Sequence, residues 1–270
     1  MTADAPLAKA PSPAAPAGPG RRDDLDWIRV AAFGLLIMFH VSLVYAPYDW
    51  HVHSTHTFGW LAEAILATGP WRLTLLFLVS GAALRFMARK YAPGAVARAR
   101  MARLAPPLLF GIFFLVPPQS WLEAVDKGSW SQGLGAWWLH QFSVPEILRG
   151  VPVNHLWFVL YICVYTLAAV ALMSRPRLLA RLEEGLPRWL SGWRVLVLPI
   201  LYLALARILL FPWFGLSNHL PADWYNHAIS LGAFLLGFCI ALREDVWRNL
   251  ERWRVWALGA AAVSLVLLMW

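Results

Sequence analysis

Apolar runs close to twenty residues long recur along this chain, and their length leaves few folds open. A helix must present about 20 mostly apolar residues to cross the hydrocarbon core of a bilayer. Seven segments reach or approach that length: 27–47, 69–88, 104–122, 153–173, 195–214, 225–242 and 255–270. The sequence therefore predicts an all-α, polytopic transmembrane helix bundle with seven helices in this chain. Composition agrees, since 60% of the 270 residues are hydrophobic and only 14% are charged. A soluble domain of this size carries more charge. The 17 Trp fit the same reading, because Trp collects where membrane meets water. No internal repeat is visible.

The net charge of +8 raises nucleic acid as a partner, but the positions of the cations point elsewhere. Arg85, Arg89, Lys90, Arg98, Arg100 and Arg103 crowd one connection, and Arg175, Arg177, Arg181, Arg188 and Arg194 a second. Arg243, Arg248, Arg252 and Arg254 fill a third, and Lys9, Arg21, Arg22 and Arg29 flank the first apolar run. The alternate connections hold only Lys127 and Arg149. That is a topology signal and not a nucleic-acid surface, and the positive-inside rule places the N-terminus in the cytoplasm. All eight histidines fall within membrane segments or on the opposite, outer side.

Residues 1–21 are Ala/Pro-rich without an apolar centre, which predicts a disordered tail and no signal peptide. Residues 22–270 form the transmembrane domain. Its seventh segment reaches Trp270 with no polar flank, which reads as an incomplete C-terminus. Cys163 and Cys239 sit in separate apolar runs and suggest no disulfide framework.

Within the first apolar run, "LDWIRVAAFGLLIMFHVSLVY", Asp26, Arg29 and His40 break the pattern. Eleven residues make about three helical turns, so Arg29 and His40 share a face, separated by a rise of about 16 Å. Asp26, one turn before Arg29, joins that face. An ionisable group at such depth faces protein interior and is a candidate for function. A buried imidazole resists protonation and is a neutral base for a hydroxyl. The other reading of His40 is a hydrogen bond between packed helices.

Three more places carry polarity into apolar surroundings. Arg72 lies near the outer end of the second segment, where its long side chain can snorkel to the interface; Ser80 and Gly81 follow. Arg207 interrupts "LPILYLALARILLFPW", where a central Arg costs about 2.5–3.5 kcal/mol, so it is expected to pair with a carboxylate or an anionic ligand. Asp49, Glu63 and Asp223 are among the outer-side acids available. "NHLWFVL" opens the fourth segment with His155, and with Trp157 as interfacial belt or stacking platform. The "HVHSTH" cluster (His51, His53, His56) lacks the spacing of a zinc signature, so no metal is expected. No nucleotide-binding or hydrolase-elbow motif is present.

These residues resemble the membrane acyltransferase-3 family. Its mark is an Arg, ten residues and a His in the first membrane helix, here Arg29 to His40. "LDWIRV" with "FHVSLVYAPYDWHV" is similar to the branch of glucan biosynthesis protein C type, which succinylates periplasmic glucans. Arg72 with Ser80 and Gly81, "RARMARLAPPLL" and "HLWFVL" resemble further family patterns in the same order. The resemblance spans 22–243. Family members have about ten membrane helices against the seven apolar segments here.

The resemblance implies an O-acyltransferase of the bacterial-type inner membrane, with acyl-CoA as cytoplasmic donor, no bound cofactor, a cell-envelope carbohydrate as acceptor, and membrane lipid around it. His40, Arg29 and Asp26 would be catalytic. Arg72, Ser80, His155, Trp157 and Arg207 would bind substrate, Arg72 or Arg207 taking the distal carboxylate of a succinyl group. A transporter or flippase for an envelope glycan would use the same intramembrane Arg and His, and an inactive truncated form is the third possibility.

Overall fold

In the computed structural model, residues 23–48 and 54–269 are described. The tail 1–21 and the residues Asp49, Trp50, His51 and His53 lie outside them, and so do the expectations attached to those positions. Among the described residues there is no strand; the chain is helix and short connection throughout. The helices are α1 Asp23–Tyr45, α2 Gly59–Ala88, α3 Pro93–Phe110, α4 Val116–Asp126, α5 Leu134–Gln141 and α6 Val144–Arg149. They are followed by α7 Trp157–Met173, α8 Pro176–Trp189, α9 Arg194–Phe214, α10 Trp224–Ile240 and α11 Glu244–Met269.

Five of these stretches are long and apolar enough to cross a membrane: Asp23–Tyr45, Gly59–Ala88, Pro93–Asp126, Asn154–Met173 and Arg194–Phe214. The sixth and seventh expected spans, 225–242 and 255–270, are not two independent ones. They correspond to α10 and α11, which meet at a 115° bend and meet the criterion only as a pair. The polar connection 244–254 is itself helical and runs straight into the apolar part of α11, because Arg, Glu, Leu and Trp give the backbone no reason to stop. Likewise the basic stretch 93–103 is the first half of α3 and not a loop.

The core forms where α2, α7 and α10 meet. Leu76, Phe77, Tyr161, Tyr165, Phe234 and Phe238 are almost wholly enclosed there. The α2–α10 contact is the most extensive in the fold, and glycine makes it possible. A Cβ on Gly81 would be driven into the Phe234 carbonyl, and one on Gly237 into the Leu78 carbonyl. In lipid there is no hydrophobic force between helices, so close approach of backbones at small residues takes its place. By contrast α1 and α9 are mostly exposed along their apolar lengths, as expected of surfaces that meet lipid.

Between α3 and α4, Gly111–Leu115 form one π-helical turn. It lies between Pro106–Pro107 and Pro117–Pro118, whose missing N–H groups interrupt the regular ladder on both sides. Gly111 also receives Leu156 from the start of α7: a Cβ there would collide with the Leu156 side chain. The α1–α2 loop is tied back to α1 by Ser54 N–H to the Val44 carbonyl and Phe58 N–H to the Tyr45 carbonyl, each 2.8 Å.

Candidate active site

Two helices and the turn that enters a third bring their polar side chains together toward the C-terminal end of α1. His40 comes from α1, Arg72 from α2 and His155 from the short 3₁₀ turn Asn154–Leu156 that leads into α7. The rings of His40 and His155 lie edge-to-face with centroids 6.2 Å apart. Arg72 reaches across from α2 to place its guanidinium 3.9 Å from the ring centroid of Phe39, the neighbour of His40. The seating of Leu156 against Gly111 fixes the turn that carries His155.

The protonation pattern of His40 follows from its neighbour. Its Nδ1 lies 2.8 Å from the Leu36 carbonyl oxygen. A carbonyl only accepts, so Nδ1 carries the proton, and in the neutral ring Nε2 holds the lone pair. That tautomer anchors one ring nitrogen to the helix and makes the other the acceptor.

Arg72 does not snorkel. It is 2% exposed, among the most deeply enclosed large side chains of the protein. Its backbone stands well inside the 30-residue α2, and the side chain packs beneath Phe39 where snorkelling would have carried it to the interface. Its Nη1 donates to Thr68 Oγ1 at 3.2 Å, and its buried Nε meets no acceptor. Among the described residues no carboxylate lies within ion-pair distance of it. A desolvated cation with unused donors is a receptor for a negative charge.

Arg207 also departs from expectation. It pairs with none of the acids named for it among the described residues. Its guanidinium lies 3.3 Å from the Phe211 ring centroid on the exposed side of α9. Glu63 is exposed on α2, and Asp223 is engaged elsewhere.

Ser80 lies eight residues beyond Arg72 along α2, a rise of about 12 Å, and the structure does not bring it to the His40 cluster. Trp157 is half-buried, edge-on to Tyr161 at 5.1 Å and 6.3 Å from Phe77, so it packs on the core and not in an interfacial belt. Asp26 and Arg29 form an ion pair at 3.6 Å near the N-terminal end of α1, each side chain about two-fifths exposed. Arg100 of α3 lies near enough to Arg29 and Arg103 for their charges to act on it, and its buried Nε has no acceptor. Arg29, Arg100 and Arg103 thus gather at the N-terminal end of α1, the end that also carries Asp23, Asp24 and Asp26.

One buried network was not anticipated. Asp223 is fully enclosed and accepts three hydrogen bonds: from Tyr161 Oη at 2.7 Å, Asn226 Nδ2 at 2.9 Å and the Ser217 N–H at 3.2 Å. Ser230 donates to Asn226 Oδ1 at 2.8 Å. Beside it His227 donates from Nε2 to the Leu220 carbonyl, 2.6 Å, and accepts from Tyr165 Oη at Nδ1, 2.8 Å. Its signal in the sequence is the spacing of Asp223, Asn226, His227 and Ser230 on one helical face, opposite Tyr161 and Tyr165 one turn apart. Through Tyr161 and Trp157 it supports the segment that carries His155.

Among the described residues no group of three His, Cys, Asp or Glu side chains is placed to hold a metal ion. Cys163 and Cys239 are free and buried.

A helical bundle with several apolar spans, holding a histidine pair and an enclosed arginine within its apolar length, defines a multi-pass membrane protein with an intramembrane polar site. The acyltransferase-3 family, described as an acyltransferase domain, matches residues 22–270, and the chain belongs to that family. It is also similar to proteins named glucans biosynthesis protein C. That of Shigella dysenteriae serotype 1 (strain Sd197) is 30% identical over 153 residues, 57% of this chain and 39% of the relative. That of Escherichia coli (strain K12) matches to the same extent. The match therefore spans about two-fifths of the length of these curated relatives. No solved structure matches the chain.

Proposed function

We propose that this chain carries out O-acyl transfer across a bacterial inner membrane, moving an acyl group from cytoplasmic acyl-CoA to a hydroxyl of a cell-envelope carbohydrate. The observation that carries the reading is His40. Its Nδ1 is held by the Leu36 carbonyl, its ring lies beside His155, and the neighbouring Phe39 covers the buried guanidinium of Arg72.

The steps follow from the geometry. The phosphates of the donor meet Arg29, Arg100 and Arg103 at the inner end, which with Asp26 orienting Arg29 form a basic mouth. The thioester reaches outward along α1, where Arg29 and His40 are separated by a rise of about 16 Å, a span for a flexible pantetheine arm. The acceptor hydroxyl loses its proton to His40 Nε2 as its oxygen bonds to the thioester carbonyl carbon. The tetrahedral intermediate collapses, the C–S bond breaks, and CoA leaves as thiol after recovering a proton. Arg72 supplies the positive charge for the oxyanion, or for the distal carboxylate of a succinyl group. Its burial favours it over Arg207, which lies on the exposed side of α9. With the N-terminus in the cytoplasm, His155 and the α7 entrance face the acceptor side. The likeness to proteins named for glucan biosynthesis supports a glucan acceptor.

The test adds radiolabelled acyl-CoA to the outside of inverted membrane vesicles, where the cytoplasmic face is exposed, with the protein in the membrane and a glucan in the lumen. Label should appear on the glucan. Glucan that crosses the membrane without ever being labelled would replace acyl transfer with transport.

A further inference from the structure

The helix α8 has three distinct sides. Leu179, Leu186 and Leu190 turn toward the protein and are buried or half-buried there. Glu183 on the same side binds Arg85 of α2 at 2.5 Å. From α11, Asn249 Nδ2 donates to the Leu190 and Gly192 carbonyls at 2.8 and 3.0 Å, locking the end of the helix in place. A second side, about a quarter-turn away, carries Leu178, Leu182 and Trp189, which are 44%, 38% and 65% exposed. The third side, farthest from the bundle, carries Arg177, Arg181 and Arg188, all exposed.

Arg175, Arg177 and Arg181 surround an open concavity of about 390 Å³, floored by Pro176 and Leu178. Among the described residues none of these three arginines makes an ion pair, and neither does Glu184, the acid nearest them on the exposed surface. Water alone would suit the arginines but not the leucines and Trp189 beside them. The cytoplasmic solvent is therefore a poor partner for this surface taken whole. A bilayer surface suits both parts: acyl chains meet the apolar stripe and phosphate groups meet the arginines. The position of α8 agrees, because it joins the ends of two apolar spans, α7 and α9, at the same side of the bundle.

We propose that α8 is a docking helix for an anionic phospholipid, with the phosphodiester headgroup seated among Arg175, Arg177 and Arg181 and the acyl chains along Leu178, Leu182 and Trp189. The shared chemistry is a phosphate, and the apolar stripe selects the lipid over a soluble phosphate compound. The proposal stands on the multi-pass fold and is independent of the acyl-transfer reading.

The test is native mass spectrometry of the full chain, released from mild detergent after incubation with equal phosphatidylglycerol and phosphatidylcholine. Phosphatidylglycerol should be retained selectively. The triple variant Arg175→Gln/Arg177→Gln/Arg181→Gln should bind it on the order of 100-fold more weakly, each cation contributing about fivefold. The single variant Arg181→Gln, with its about fivefold loss, decides the matter should the triple variant fail to fold. Equal retention of the two lipids, or unchanged retention by the variants, would overturn the assignment. Displacement of phosphatidylglycerol by millimolar inorganic phosphate or CoA would overturn it too, in favour of a soluble phosphate site.

Discussion

Replacing Arg72 by Met separates a structural role from a functional one, because the two predict opposite patterns of loss. A central Arg costs about 2.5–3.5 kcal/mol to place in the membrane. Against that, the hydrogen bond from the guanidinium to Thr68 returns about 1.5–3 kcal/mol. The contact with Phe39 returns about 0.5–2 kcal/mol. The two sides nearly cancel, so Arg72→Met should change stability by less than about 2 kcal/mol in either direction. Removing one member of a true buried ion pair would cost about 3–5 kcal/mol. Acyl transfer, on the other hand, should fall about 10²–10³-fold, the usual effect of deleting one group that stabilises developing charge. Stability can be followed by thermal unfolding with a thiol-reactive fluorophore, since Cys163 and Cys239 are both buried and become reactive only on unfolding. Transfer is measured in the same preparation with radiolabelled acyl-CoA. A loss of transfer that merely tracks a large loss of folded protein would refute the assignment, and so would normal transfer by a stable variant.

Further expectations concern the other parts of the site and the scaffold. His40→Ala should lower transfer by about 10²–10⁴-fold while membrane insertion is unaffected, with Ser42→Ala as the same-helix control in the transfer assay. Asp223→Ala should destabilise the fold by about 2–4 kcal/mol, read as a lower unfolding midpoint, because Tyr161, Asn226 and the Ser217 N–H all lose a buried acceptor. Gly237→Val should destabilise the α2–α10 contact by about 1–3 kcal/mol or more, read as a lower midpoint in the same thiol assay. Single cysteines at Ala92 and Ala95, both exposed, should be labelled by a membrane-impermeant reagent only after the membrane is opened. Val96 is fully buried and should stay unlabelled in either case.

The apolar runs made the all-helical bundle legible, because hydrocarbon thickness sets a length that a reader can count along the sequence. The Arg29–His40 register was legible for the same reason: within one helix, spacing alone fixes the shared face. What sequence could not supply was any relation between helices. Arg72 at the end of an apolar run reads as an interfacial cation. Only the packing of α1 against α2, with Phe39 laid over the guanidinium, shows it enclosed. Arg207 shows the same limit in reverse. A charged residue in an apolar run is expected to pair with a carboxylate or an anionic ligand; α9 lies at the periphery, and among the described residues the Arg207 guanidinium lies over Phe211 on an exposed side. Span boundaries differ from the apolar runs where helix did not stop at charge. The segment 93–103, rich in Ala and Arg, and the segment 244–254, rich in Arg and Glu, are good helix formers, so each extended the apolar helix that follows it.

The two arginine groups also differ in a way that bears on how a reaction can cross a membrane. Arg29, Arg100 and Arg103 sit at one end of the bundle in partial contact with water, beside Asp23, Asp24 and Asp26 of α1, and the charges of Arg29 and Arg103 act against that of Arg100. Arg72 sits alone in the other half, enclosed. An anion arriving at the first group relieves repulsion among exposed charges, which calls for several negative charges and loose geometry. An anion arriving at Arg72 meets one desolvated cation, where a single negative charge is held strongly because little dielectric screens it. A donor with several phosphates at one end and one acyl carbonyl or carboxylate at the other matches both demands at once. On this reading Arg29→Gln should raise KM for acyl-CoA with a smaller effect on kcat, whereas Arg72→Met should lower kcat. If both variants raise KM alone, Arg72 belongs to ground-state binding and the oxyanion role passes to another group.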